Sequence, residues 1–529
     1  MKMLGVLIDC SRGAVYTVET LKKYFSMLAE MGYNSVQLYT EDTYEISGEP
    51  YFGYLRGRYS KEELKELDAY AASLGIELIP CIQTLAHLGG VTRWENYENC
   101  TDTGDILLAE QEETYRLIER MLQTCAECFT SRRINIGMDE AHAIGLGKYL
   151  DRHGYQNRFE ILLRHLCRVN EIAVRLGFRV MMWSDMFFRL ANNGEYYNGK
   201  AQLPRDILSC MPENIDLIYW DYYSLEKTHY DQMIETHKMC SNSVVFAGGA
   251  FSWEGFAPFN KFSIDACRSA IRSCSENGIE DIFITCWKDD GAECSLFASL
   301  PTLMCAAEFA RGNYDENDIA QRFGKIFGIS YETFLMLDEV NLTGSVHEIK
   351  NPSKYMLYSD PFLGIFDLNF EKCGKEFSVV KQRFRAYSWN KNFGYLYKTL
   401  ASLCDVLEIK CSLGLRTREA YMKGSKEELK KLIADYLVLE KRLLRFYRAF
   451  RKQWEKECKQ NGFEMHDVRF GGLMCRIKHC REILQEYDTG KISTIEPLQE
   501  KLLPFSESNR GQAIRYNDWL TTAMIKPMG

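Results

Sequence analysis

The chain has 529 residues, 46% of them hydrophobic and 26% charged, with a formal net charge of −8. A single core rarely grows past ~250–300 residues, so this length predicts two domains, one of them large. The acidic balance, without a basic stripe, speaks against a nucleic-acid partner, and no apolar run reaches the ~20 residues of a membrane-spanning helix.

The first 310 residues repeat one unit: a short Val/Ile/Leu-rich run, a polar or Gly-rich break, then a helical pattern. The runs fall at 3–9, 34–40, 76–82, 133–138, 178–183, 215–220, 243–248 and 281–287. After the first, Leu21, Phe25, Leu28 and Met31 share one helical face and Gly32 closes it. After the second, Ser60 and Glu63 have capping-box spacing ahead of Leu64, Leu67 and Ala71, and Gly75 ends that helix. Leu162, Leu166, Val169, Ala173 and Leu176 repeat the pattern before Gly177. Strands alternating with helices need crossovers and hence a parallel sheet. Eight such units predict an α/β fold, a (β/α)8 TIM barrel over residues 1–311. The competing doubly wound sheet lacks a G-x-G-x-x-G after its first strand.

Residues 312–370, with a Gly-, Pro- and Ser-richer part at 341–365, read as a linker or irregular cover. A mainly α-helical C-terminal domain is expected over 371–529, with helices near 392–413, 425–460 and 470–487. Leu429, Leu432, Tyr436, Leu439, Leu443 and Tyr447 have helical spacing. In "GFEMHDVRFGGL" (462–473), Asp467 and Arg469 read either as a helix start with a local salt bridge or as polar groups lent to a site. The 19 cysteines are scattered, and Cys125-x-x-Cys128 is a lone spacing inside a helical pattern. Buried free thiols in a reducing cytosol are expected, and "MKMLGVLIDC" is too short for a signal peptide.

Barrel enzymes keep their active site at the C-terminal ends of the strands. By that rule one rim receives Asp9 and Arg12, Glu41 and Asp42, His87, Asp139 and Glu140, Trp183 and Asp185, Trp220, Asp221 and Tyr223, Trp253 and Glu254, and Trp287, Asp289 and Asp290. Acids and indoles in one cup suit a sugar: indoles stack on pyranose C–H faces, and acids bond its hydroxyls and protonate a leaving oxygen. Each residue also has a plainer reading, as a core Trp, a dipole-complementing acid pair or a loop-anchoring Arg.

The stretch "INIGMDEA" (134–141) resembles the signature of glycoside hydrolase family 20, the β-N-acetylhexosaminidases, whose fourth strand ends H-x-G-x-D-E. Gly137, Asp139 and Glu140 match, while Asn135 replaces the His. The resemblance extends over residues 1–310. Arg12 stands where the family grips the sugar's outer hydroxyls, Asp221-x-Tyr223 matches a D-x-Y, and Trp287-x-Asp289 matches W-x-E with Asp for Glu. Trp183 and Trp253 stand where the family walls the N-acetyl group, and Glu41 and His87 align as supports of the acid. The α/β domain that precedes many such barrels is not expected here, which fits a compact cytoplasmic branch.

The resemblance implies exo-acting release of terminal GlcNAc or GalNAc by substrate-assisted, retaining hydrolysis. The substrate's own acetamide oxygen attacks the anomeric carbon. Glu140 is then general acid and base, expected to be buried with a raised pKa; Asp139 stays ionised and accepts the acetamide N–H. Tyr223 donates to the acetamide oxygen, Trp183, Trp253 and Trp287 box the methyl group, and Arg12, Asp221 and Asp289 hold hydroxyls. No metal or cofactor is called for. The expected partner is a small N-acetylhexosaminide, with a homodimer through the helical domain left open. The alternatives are a retaining glycosidase with a protein carboxylate nucleophile, Asp289 opposite Glu140, and a non-catalytic sugar-binding barrel.

Overall fold

In a computed structural model, which describes residues 2–199, 203, 210–241, 243–341, 352–369 and 374–503, every expected run forms a strand. These are β1 Met3–Asp9, β2 Ser35–Tyr39, β3 Glu77–Cys81, β4 Arg133–Asn135, β5 Arg179–Trp183, β6 Ile215–Trp220, β7 Val244–Gly249 and β8 Asp281–Cys286. They close into one parallel barrel in chain order, with β1 paired to both β2 and β8. β4 is shorter than its apolar run because Gly137 and Met138 turn to φ of 74° and 70°, outside extended space.

The longer barrel helices are α1 Val18–Met31, α2 Lys61–Ser73, α3 Glu112–Cys128, α4 Arg158–Arg175, α5 Lys227–Cys240, α6 Asn260–Glu276 and α7 Leu300–Ala310. Their ends are chemically marked. Thr17 accepts from Thr20 N, Gly32 takes φ 88°, and both arms of the Ser60–Glu63 capping box are made.

Strand alternation sorts the core into two layers. Inside the barrel, Met3, Leu7, Tyr39, Ile79, Cys81, Met181, Trp183, Ile218, Val245, Ala247 and Phe283 form one cluster. The opposite faces pack beneath the helices in a separate, larger core, which continues into the C-terminal region.

Beyond the barrel come α8 Glu316–Phe327, α9 Gly374–Tyr387, α10 Gly394–Met422, α11 Lys426–Glu457 and α12 Glu464–Asp488. Consecutive helices from α9 to α12 pack on one another. The buried stripe of α11 steps by three and four through Leu429, Leu432, Tyr436, Leu439, Leu443 and Phe446. Phe256, beyond β7, meets Phe446 and Phe450 with ring centroids 5.1 and 5.3 Å apart, so barrel and helices share a seam.

Where described, segment 312–370 is a set of short packed helices rather than a linker; 342–351 and 370 lie outside the described residues. Pro352 opens the fully buried helix Pro352–Tyr358, a position where its missing N–H costs nothing. From the same segment Asp338 reaches back to α6, which lacks a side-chain cap of its own, and accepts from Lys261 N at 2.8 Å. Replacing Ser60 by Ala should lower stability by ~1 kcal/mol through loss of the α2 cap, read as a lower thermal unfolding midpoint with an unchanged circular dichroism spectrum.

Candidate active site

The strand alternation runs on past the last ladder bonds, and what it carries inward builds a cup of about 570 Å3 at the C-terminal mouth. Of the sequence-predicted residues, Arg12, His87, Asp139, Glu140, Trp183, Tyr223, Trp253, Trp287 and Asp289 line it.

Glu41 and Asp221 do not. Glu41 is buried one layer down, where it accepts from Tyr39 Oη at 2.9 Å and faces Arg12 Nη2 at 3.2 Å. Asp221 corrects the D-x-Y expectation. It falls on the outward parity of β6 and is buried. Its carboxylate accepts from Tyr219 Oη at 3.0 Å and from the backbone N–H of Tyr223 at 3.0 Å, and it faces His229 Nε2 at 3.1 Å. Asp221 therefore holds a loop. The inward parity continues from Ile218 to Trp220 and Tyr222, and both line the cup. Trp220 is one of the expected rim residues, and counting on by two from it would have found Tyr222 as well.

Tyr222 Oη accepts from Trp287 Nε1 at 2.9 Å and also has the Thr285 side chain as a hydrogen-bond partner. Tyr223 is 43% exposed at the mouth. The aromatic wall is continuous: ring centroids are 5.9 Å apart for Trp183–Trp287, 5.5 Å for Tyr222–Trp253 and 5.2 Å for stacked Trp220–Tyr222.

Asp139 and Glu140 leave β4 on an unusual backbone. Gly137, Met138 and Glu140 all have positive φ, a conformation that costs the two non-glycine residues of order 1–3 kcal/mol each. Gln83 holds this turn from two sides. It accepts from Met138 N at 3.1 Å and donates to Asp139 Oδ1 at 2.7 Å. His87 Nε2 stands 3.4 Å from Asp139 Oδ2 and 3.7 Å from Glu140 Oε2. Asp185, an inward residue beyond β5, accepts from Glu140 N at 3.1 Å and from Arg189 Nε at 3.1 Å.

The carboxyls divide by what faces them. Burial pushes Asp139 up, but the His87 charge and the His87 and Gln83 hydrogen bonds outweigh it and leave its pKa below the usual range. Burial and Arg12 work against a charged His87, yet Asp139 and Glu41 prevail and raise its pKa to about 9. Burial, with the charges of Asp139 and Glu140, takes Asp185 to about 7. Asp289 is exposed at the mouth, but desolvation by the surrounding rim raises its pKa to about 8 despite Arg12. The expected burial of Glu140 is absent: its side chain is 42% exposed and faces His87 and Arg189, with Arg189 Nη2 3.8 Å away. Among the described residues, no group of three or more His, Cys, Asp or Glu side chains is arranged to hold a metal ion. Asp185 was expected at the rim without a role, whereas Gln83 and Arg189 were missed; the same inward parity points to Gln83, while no local signal marks Arg189.

Two family models match the chain. One, described as glycosyl hydrolase family 20, catalytic domain, covers residues 4–233; the other, Glycoside Hydrolase 20C C-terminal domain, covers 332–516. The catalytic match stops before β7, so Trp253, Trp287 and Asp289 lie outside it. Hexosaminidase D of Homo sapiens is 23% identical over 345 residues, 60% of this chain and 68% of its own length. Hexosaminidase D of Bos taurus is 23% identical over 354 residues, covering 60% and 95%. Among solved structures, a β-N-acetylhexosaminidase from Bacteroides fragilis NCTC 9343 aligns with a TM-score of 0.47 at 20% identity, over 62% of this chain and 69% of that one.

The His87–Asp139 pair sets a pH window. The raised His87 pKa contributes stability that is complete below 6.5 and lost as pH rises through about 9. The lowered Asp139 pKa contributes stability present above 3.8 and lost as pH falls through its folded value. An NMR titration of the His87 ring should show a midpoint near 9, moving back toward 6.5 or lower in Asp139→Asn.

Proposed function

Because the chain belongs to glycoside hydrolase family 20, matched in both its barrel and its helical region, we propose that it is an exo-acting β-N-acetylhexosaminidase that removes terminal GlcNAc or GalNAc by substrate-assisted, retaining hydrolysis. The observation that carries this reading is Asp139, a half-buried carboxylate whose pKa is lowered by His87 and Gln83, beside Glu140 in an indole-walled cup.

In this scheme the 2-acetamido oxygen attacks its own anomeric carbon, so nucleophile and electrophile arrive tethered. Asp139 accepts the acetamide N–H and balances the positive charge that develops on the group. Gln83 and His87 each engage one of its oxygens, and an ionised carboxylate has about four lone-pair sites, so a position remains for the ligand. Glu140, at the mouth, protonates the leaving oxygen and later activates water. Its exposure suits this position, because a bound aglycone would cover it and exclude water. The donor to the acetamide oxygen, expected to be Tyr223, is reassigned here to its neighbour Tyr222, which is oriented by Trp287 on the inward side of the cup, and Tyr223 closes the mouth. Trp183, Trp253 and Trp287 enclose the methyl group, while Arg12 and Asp289 hold ring hydroxyls.

In the rival scheme Asp289 is the nucleophile; desolvation and the charges of Asp9 and Asp290 raise its pKa, which disfavours the carboxylate form that attack on carbon requires. We also place the enzyme in a reducing compartment such as the cytoplasm. The support for this is that the described cysteines are free and mostly buried.

The deciding experiment compares 4-nitrophenyl N-acetyl-β-glucosaminide with the matching β-glucoside. The first should turn over at least ~100-fold faster, because only it carries its own nucleophile; equal rates would sink the proposal. Asp139→Asn should lower kcat by ~10²–10³ with an unchanged circular dichroism spectrum. Glu140→Gln should cost far more on a disaccharide than on the activated aryl glycoside, and equal losses would contradict its acid role. Tyr222→Phe should cost kcat ~10-fold or more, with Tyr223→Phe acting mainly on KM.

A further inference from the structure

The turn between α11 and α12 and the first turns of α12 together touch three rim loops, and two of these carry the residues read above as holding the sugar's hydroxyls. On the β1 side, Lys459 N donates to Val15 O at 2.7 Å, Thr17 N donates to Glu457 O at 3.1 Å, and Cys458 pairs with Tyr16 in an antiparallel bridge. Gly462, at φ 94°, sits so close to the loop that an added Cβ would stand 2.0 Å from Gly13 O, next to Arg12. On the β2 side, Asn461 Nδ2 donates to Leu55 O at 2.9 Å.

The β8 loop is held more tightly still. Asp289 lies between two anchored peptides. Lys288 N donates to Asp9 Oδ2 at 2.9 Å, and Asp290 N donates to the carbonyl of wall residue Trp253 at 3.2 Å. The next anchors come from α12: Arg469 Nη1 donates to Asp290 O at 2.7 Å and to Glu293 Oε1 at 3.0 Å, and His466 Nε2 donates to Gly291 O at 2.8 Å. Gly291 takes φ 99°, and an added Cβ there would meet Met465 Cε at 2.4 Å. Arg469 and Glu293 are buried, and Lys354 gives Glu293 a second partner at 2.6 Å. A guanidinium buried against a backbone carbonyl and a carboxylate fixes position more than it adds stability.

We propose that Arg469, with the α11–α12 turn, is the positioning element for the hydroxyl-holding end of the cup, setting where Asp289 and Arg12 stand and making the helical region a determinant of sugar affinity. This rests on the reading of Arg12 and Asp289 as hydroxyl holders. Arg469 touches no substrate in this scheme and acts through the loop.

The test uses the full-length enzyme and 4-nitrophenyl N-acetyl-β-glucosaminide. Arg469→Met should raise KM about tenfold and change kcat by less than about threefold, the pattern of lost ground-state binding. Arg469→Lys should recover part of that loss. If the effect travels through Asp289, Asp289→Ala combined with Arg469→Met should be no worse than Asp289→Ala alone. An unchanged KM in a folded Arg469→Met protein, or penalties that multiply in the double variant, would overturn the inference. Should Arg469→Met fail to fold, Gly462→Ala decides. It should raise KM by pushing on Gly13, with no added penalty once Arg12 is replaced by Ala; an unchanged KM there also overturns the inference. Wild-type turnover with indifferent Arg469 variants sinks this inference alone, whereas no turnover by the wild type sinks the functional reading beneath it.

Discussion

Along a strand successive side chains face opposite ways, and a closed barrel leaves one of those faces inside. In this protein the alternation continues for several residues past the ladder, and the site is made of what it delivers. Ile218 belongs to the packed interior, Trp220 to its edge and Tyr222 to the cup. Phe283, Trp287 and Asp289 follow the same course on β8, and Met181, Trp183 and Asp185 on β5. The apolar plug and the polar cup are thus consecutive layers of one side-chain stack. Its indoles are held by their own packing, and its acids are held by groups one layer below.

That second layer decides which carboxyl holds a proton. Asp185 is buried, Asp139 half-buried and Asp289 exposed at the mouth, yet desolvation raises each of them, and the outcome turns on the nearest cation or donor. Asp139 has His87 and Gln83 and stays ionised. Asp289 has Arg12 but also the charges of Asp9 and Asp290, and its pKa rises to about 8. Asp185 has Arg189 but faces both Asp139 and Glu140, and reaches about 7. One small volume therefore holds an anion beside two carboxyls poised to be neutral. Separated proton affinities of this kind are what acid–base chemistry at neutral pH requires.

The loops bearing this chemistry are long, and long loops are mobile unless something packs on them. Here a helical layer does so. Its turn forms a bridge with the chain beyond β1, and its buried Arg469 and His466 take carbonyls of the loop beyond β8. Those carbonyls would otherwise be buried without donors. Satisfying them from a separate layer couples the shape of the cup to helices that line none of it.

The fold was legible because its signals are local. Eight apolar runs, the Ser60–Glu63 box and the glycines at helix ends each act within a few residues, and each appears where the chain puts it. The acid pair was legible for the same reason, since Asp139 and Glu140 are neighbours in a short motif. Asp221 was misjudged because a motif gives spacing and not parity, and parity faces it toward the helices. The exposure of Glu140, the partners that lower the Asp139 pKa and the reach of Arg469 to Asp290 were beyond the sequence. Each depends on distances between segments 50 to 180 residues apart, and only closing the barrel and docking the helices brings those segments together. By itself the sequence determined which elements form and which chemistry reaches the rim; tertiary structure decided which groups meet, how dry they are and where each proton resides, because Coulomb and desolvation energies depend on separation in space and not along the chain.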